Sequence, residues 1–128
     1  MTEEPFRLFD IGQIAVPVRD LDRAVAFYRD TLSMRFLFRV PAGLAFFDCH
    51  GVRLMLSVPE GGTDVQRSSI IYYKVGDIRD STQRLKQRGV AFQSDPHLIA
   101  KMPDHELWMA FFHDSEGNTL ALMSEVRG

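Results

Sequence analysis

The chain is short of the residues that mark several protein classes. It has a single cysteine, Cys49, in 128 residues, which excludes an internal disulfide framework and any zinc knuckle built from cysteines alone. It has no excess charge of one sign: 15 Lys and Arg stand against 17 Asp and Glu, a net charge of −2, with a pI near 6.0. That balance supplies no basic field for nucleic acid. No apolar run approaches the roughly 20 residues of a membrane span. Residues 1–10 include Glu3, Glu4 and Asp10 and have neither a basic start nor an apolar stretch. No secretory leader is therefore expected, and a reducing cytoplasm is the expected compartment. There is no Gly-rich P-loop and no dinucleotide fingerprint, and Gly61-Gly62 reads as a flexible joint. What is present, 45% hydrophobic and 25% charged residues, fits one globular domain over 1–128. At this length folding removes roughly two-thirds of the chain's surface from water, enough for a core without staples.

The chain repeats itself. An apolar run over 11–18 ends at Arg19-Asp20-Leu21, and a second over 69–75 ends at Gly76-Asp77-Ile78. Gly51-Val-Arg-Leu-Met-Leu56 lines up with Gly117-Asn-Thr-Leu-Ala-Leu122. Two modules follow, 11–59 and 69–126, joined by the turn formers of 59–64. Each opens with a strand and then a helix, capped by Asp20 or Asp77, whose carboxylate can accept first-turn amides. Leu21, Ala24, Val25, Tyr28 and Leu32 form one helical stripe. Ile78, Thr82 and Leu85 form the second, which stops at Gly89. Three strands follow in each module. In the first they cover 35–40, 44–49 and 52–58. In the second they cover 90–93 resuming at 98–101, then 107–113 and 118–125, with Pro96 and Pro103 making the first hairpin irregular or an edge. The expected fold is α+β: two tandem βαβββ modules forming a curved eight-stranded mixed sheet around a cup, helices on the outer face.

Residues 13–32, QIAVPVRDLDRAVAFYRDTL, and 111–120, FFHDSEGNTL, resemble the opening and closing motifs of the vicinal oxygen chelate superfamily, with Ser115 where the closing motif usually has Pro. Glyoxalase I, bleomycin-resistance proteins and extradiol dioxygenases belong to it. The resemblance covers 11–125 and implies a cup that, in the enzymes, holds a divalent metal on the first and last strands of each module. Carried over one by one, those positions fall on Gln13, Met55, Ile70 and Ala121. Such metals need carboxylate oxygen or imidazole nitrogen. Ile70 and Ala121 have no side-chain donor, Met55 has a thioether, and Gln13 is a neutral amide. Neither a metal nor another cofactor is therefore expected.

Alternation places Gln13, Ala15, Met55, Ile70, Tyr72, Leu107, Met109, Phe111, Ala121 and Met123 in the cup, with Ile14, Val16, Val18, Trp108, Ala110 and Phe112 under the helices. A mostly apolar, Met-rich cup suits a small apolar or aromatic ligand; the same residues packed on each other would leave no cavity. His105 and His113 stand eight residues apart on one strand, roughly 26 Å, too far to share a metal. His97 and His105 could meet across the irregular hairpin beside Asp104 or Glu106. Cys49 has His50 as its only basic neighbour in sequence and no identifiable triad partner. The expected function is therefore small-molecule binding without the family metal. The alternatives are an enzyme of the same fold (lyase, isomerase or dioxygenase) using unconventional groups such as Gln13, Tyr72 or the His97/His105 region, with no catalytic residue assigned, and a structural module with a closed cup. The resemblance also implies a homodimer; no nucleic-acid or membrane partner is expected. Whether one chain forms the cup or two chains share it stays open.

Overall fold

Apolar alternation broken by Gly and Asp turns sets the elements of the computed structural model, which describes residues 6–8, 10–41, 43–59 and 69–127. The expected joint at 60–64 lies outside them. The elements are β1 (Gln13–Pro17), α1 (Leu21–Ala26, continued by a wide π turn over Phe27–Thr31), β2 (Arg35–Val40), β3 (Leu44–Cys49), β4 (Val52–Ser57), β5 (Ile71–Lys74), α2 (Ile78–Gln87), β6 (His97–Lys101), β7 (Glu106–His113) and β8 (Thr119–Val126). Both helices start as expected. The Asp20 carboxylate accepts from Arg23 N at 3.0 Å, and that of Asp77 from Asp80 N at 3.1 Å. The β3–β4 hairpin turns on His50 and Gly51, both with positive φ, the backbone shape that matches the twist of paired strands.

The eight strands form two four-stranded ladders of the same order, β1-β4-β3-β2 and β5-β8-β7-β6. In each, the first strand runs parallel to the last of its module and the other pairings are antiparallel. The Pro-flanked strand, β6, is an edge with a register shift between Leu98 and Ala100. Residues 90–93 do not form the expected strand. Toward β7 they contribute one bridge, Phe92 to Phe112, and one bond from Gln93 N to Phe111 O at 2.8 Å.

The helix-side faces of both ladders share a core. Val16, Val18, Tyr28, Phe47 and Leu56 of the first module pack in one cluster with Ala110, Phe112 and Leu120 of the second. Three polar residues of the β7–β8 turn fasten the modules together. The buried Asp114 accepts from the Tyr28 hydroxyl at 2.7 Å, and from Asn118 Nδ2 at 2.9 Å. Asn118 Nδ2 also donates to Pro17 O at 2.9 Å. Glu116 accepts the backbone amides of Arg19 and Asp20, each at 2.8 Å, and Arg23 Nε at 2.7 Å. Burial pushes the Tyr28 phenol far above its ordinary pKa, and the Asp114 carboxylate adds to the rise. The turn within the closing motif, Asp114 to Asn118, therefore serves the junction between modules.

Candidate functional site

Strand parity turns one face of each ladder away from the helices, and rows of facing residues can be read across it. In the first module one row is polar: Gln13, Arg53, Asp48 and Arg35 lie side by side on β1, β4, β3 and β2. The next row is apolar: Ala15, Met55, Phe46 and Phe38. There Phe38 stacks on Phe46 with ring centroids 4.7 Å apart, and the Arg53 guanidinium lies 5.6 Å from the Phe46 centroid, within cation–π range.

In the second module Tyr72, Ala121 and Phe111 form one row, and Lys74, Met123, Met109 and His97 the next. The Tyr72 and Phe111 rings meet edge to face at 6.0 Å on either side of Ala121, which is 0% exposed. The His97 ring lies 6.4 Å from Phe111. Two aromatic groups thus stand on the outward faces, one per ladder, each flanked by a polar edge.

The expected cup residues share these faces by register, with qualifications. Gln13 and Ala15 are exposed, and Met55, Leu107, Met109, Phe111 and Met123 are half-buried. Tyr72 is 42% exposed. Ile70 sits just before β5 and is exposed. Ala121 lies on the face but under its neighbours' rings, so ligand contact there falls to the rings. Arg53, which flanks Met55 on β4, shares the face; Phe38, Phe46 and His97 also belong to the faces and were not foreseen as lining residues. For the β3 pair the reason is plain: Ala45, Phe46 and Phe47 are all apolar, and a continuous run hides the period of two.

Whether the residues fit the family metal is a matter of donors. Gln13 Nε2 points at the Met55 thioether, 3.7 Å away, and neither Ile70 nor Ala121 carries a donor. Among the described residues no group of three or more His, Cys, Asp or Glu side chains is gathered as a metal would require. His97 and His105 do not meet. His97 is opposite Met109, whereas His105 precedes β7, roughly 13 Å along the strand. His105 is engaged at the far end by Asp104 at 2.7 Å and Glu125 at 3.7 Å. There Arg127, and then His105, hold the Asp104 carboxyl at about 2. The Cys49 thiol is raised by burial and by Asp48, which suppresses the thiolate that nucleophilic attack requires.

Two βαβββ modules, each a mixed four-stranded sheet carrying one helix, define a paired-module α+β class of protein. The model of the Glyoxalase/Bleomycin resistance protein/Dioxygenase superfamily matches residues 10–122, and the chain belongs to that superfamily. A glyoxylase-like domain-containing protein of Didymella fabae is 27% identical over 126 residues, spanning 88% of this chain and 91% of that protein. A superfamily member of Sphaerobacter thermophilus DSM 20745 superposes with a TM-score of 0.76 at 22% identity, covering 92% of this chain and 98% of that one. TnmS3, an antibiotic binding protein of Streptomyces sp. CB03234, superposes with a TM-score of 0.71 at 22% identity, covering 94% and 99%. These structural likenesses concern the fold. No helix among the described residues is long and apolar enough to cross a membrane.

Proposed function

We propose that this chain is a small-molecule-binding member of the superfamily that holds an apolar or aromatic ligand on its sheet faces without the family metal. One observation carries the reading. At Ala121, where the resemblance expects a carboxylate ligand, a buried methyl-bearing residue sits on the strand between those of Tyr72 and Phe111, whose rings meet edge to face. That arrangement removes a hard donor and puts aromatic surface in its place. Met109 and Met123 on the same face, and Met55 on the face of the other module, offer polarizable side chains that adapt to irregular shapes. Gln13, Lys74 and His97 stand at the edges, suited to orienting a ligand through a few polar contacts. The antibiotic-binding role of TnmS3 supports a binding function on this fold.

The same reading includes a homodimer. Polar ties between the modules run through the helix-side junction, at Tyr28, Arg23, Pro17 and the β7–β8 turn and from Arg88 to Thr31 and Ser33. The ring contacts on the outward faces stay within one module. Each face is then half a cup, with Phe38 46% and Tyr72 42% exposed. A second copy supplies the other half. In this reading residues 1–128 act as one domain of modules 11–59 and 69–126, working in the cytoplasm with a small molecule as partner and neither nucleic acid nor membrane.

The test is a fluorescence titration of EDTA-treated protein with the neutral aromatic probe N-phenyl-1-naphthylamine. Saturable enhancement that is lost in Phe111→Ala and unchanged by added Zn, Ni or Mn is expected. Absence of saturable binding, or binding only with metal present, would overturn the proposal.

A further inference from the structure

A cleft of about 300 Å³ opens on the helix side, where the end of the first module's π turn meets α2. It faces away from the cup, and its size is at the lower end of the ~300–1,000 Å³ typical of small-molecule pockets. Its floor is apolar, built from Leu32, Met34, Tyr73, Leu85, Phe112 and Leu122. Its charged lining is of one sign: Arg84 and Arg88, one helical turn apart on and just after α2, with no acidic residue lining the cleft among the described residues. Arg84 is partly neutralised by Asp80, at 2.7 Å. Arg88 has no ion pair among the described residues. Its Nη1 donates to Thr31 O and to Ser33 Oγ, each at 2.8 Å. These bonds fix the guanidinium plane across the module junction, and the Nε and Nη2 donors have no hydrogen-bond partner among the described residues. A planar, fixed, uncompensated guanidinium above an apolar floor is matched by a carboxylate on an apolar body. Holding the guanidinium in place beforehand also lowers the cost of binding.

We propose that this cleft is a second binding site, separate from the cup, for a small apolar monocarboxylate whose carboxylate pairs with Arg88. The probe is 3-phenylpropanoate, with the neutral 3-phenylpropanamide as its match in shape, titrated into ¹⁵N-labelled protein. The carboxylate should bind saturably, with shifts at Met34, Val75, Leu85 and Leu122, and the amide at least about tenfold more weakly, the scale of a charge-assisted pair. Arg88→Gln should weaken the carboxylate by a similar factor and leave the amide unchanged, whereas Arg88→Lys should recover part of the loss. If Arg88→Gln does not fold, the carboxylate–amide difference and the shift map in the unaltered protein still decide. Equal binding of acid and amide, shifts confined to Gln13, Met109 and Phe111, or no saturable binding of the acid by about 10 mM, beyond the millimolar range of weak specific ligands, would overturn the proposal.

Discussion

Replacing Glu116 with Gln removes one charge and one of two accepting oxygens from the junction between the modules. The Glu116 side chain is fully buried, 0% exposed, while its partner Arg23 is 55% exposed. One carboxylate oxygen accepts two backbone amides at 2.8 Å and Arg23 Nη2 at 3.1 Å; the other accepts Arg23 Nε at 2.7 Å and the Ser115 hydroxyl at 3.0 Å. Burial alone would raise this carboxyl. The Arg23 guanidinium and the amides of Asp20 and Arg19 outweigh it and hold the pKa at about 2, below the usual 4.5. The folded pKa is depressed, so the stabilisation is fully present above the unfolded value and lost as pH falls toward 2. A shift of that size is worth at most ~3 kcal/mol, and the glutamine oxygen retains some of the bonds, so Glu116→Gln should cost ~2–3 kcal/mol near neutral pH. With a melting entropy of about 2.1 cal/mol/K per residue, that lowers Tm by roughly 7–11 °C. Thermal and urea unfolding at pH 6 and pH 3 would measure it. The gap between parent and variant should narrow at the lower pH, and a second change, Arg23→Gln, should cost much less in the variant than in the parent. A Tm within about 2 °C of the parent, or a gap independent of pH, would refute the reasoning.

Other outcomes follow from the same geometry. Tyr28→Phe removes one bond to a buried carboxylate that keeps Asn118 and two backbone donors, and should cost about 1–2 kcal/mol in urea unfolding. Phe47→Ala, at a fully buried site against Tyr28 and Phe36, should cost about 3–5 kcal/mol and expose the core to a hydrophobic dye. Sedimentation velocity should give a particle of twice the 14.6 kDa chain mass, and Phe38→Glu together with Tyr72→Glu should reduce it to one chain with near-parent far-UV circular dichroism. A monomeric parent would remove the shared cup.

How much was legible in the sequence depended on the range of the signal. Asp20 and Asp77 announce helix starts because a cap acts within three residues. The alternation in β1, β7 and β8 assigns faces because a strand has period two. Contacts between distant residues leave no such trace. Glu116 reaches Arg19 across 97 positions, and nothing periodic in the closing motif marks it as the bolt between modules. The π turn and the register shift beside Phe38 likewise have no periodic signal in the sequence. Residues 90–93 looked like a strand by composition, yet form one bridge before Pro96. That Ile70 and Ala121 carry no ligating side-chain atom follows from their residue types alone. The aromatic pair over Ala121 does not, because it requires Tyr72 and Phe111 to fall opposite that residue on neighbouring strands.

The central claim is that this cup works without a metal. Its most direct test is elemental analysis of protein purified without a metal-affinity tag, before and after exposure to Zn, Ni, Mn and Fe(II) followed by desalting. Far less than one equivalent per chain under every condition is predicted, in samples that still bind the neutral aromatic probe. One equivalent of any of these metals per chain, lost when Gln13 is replaced by Ala, would contradict the account.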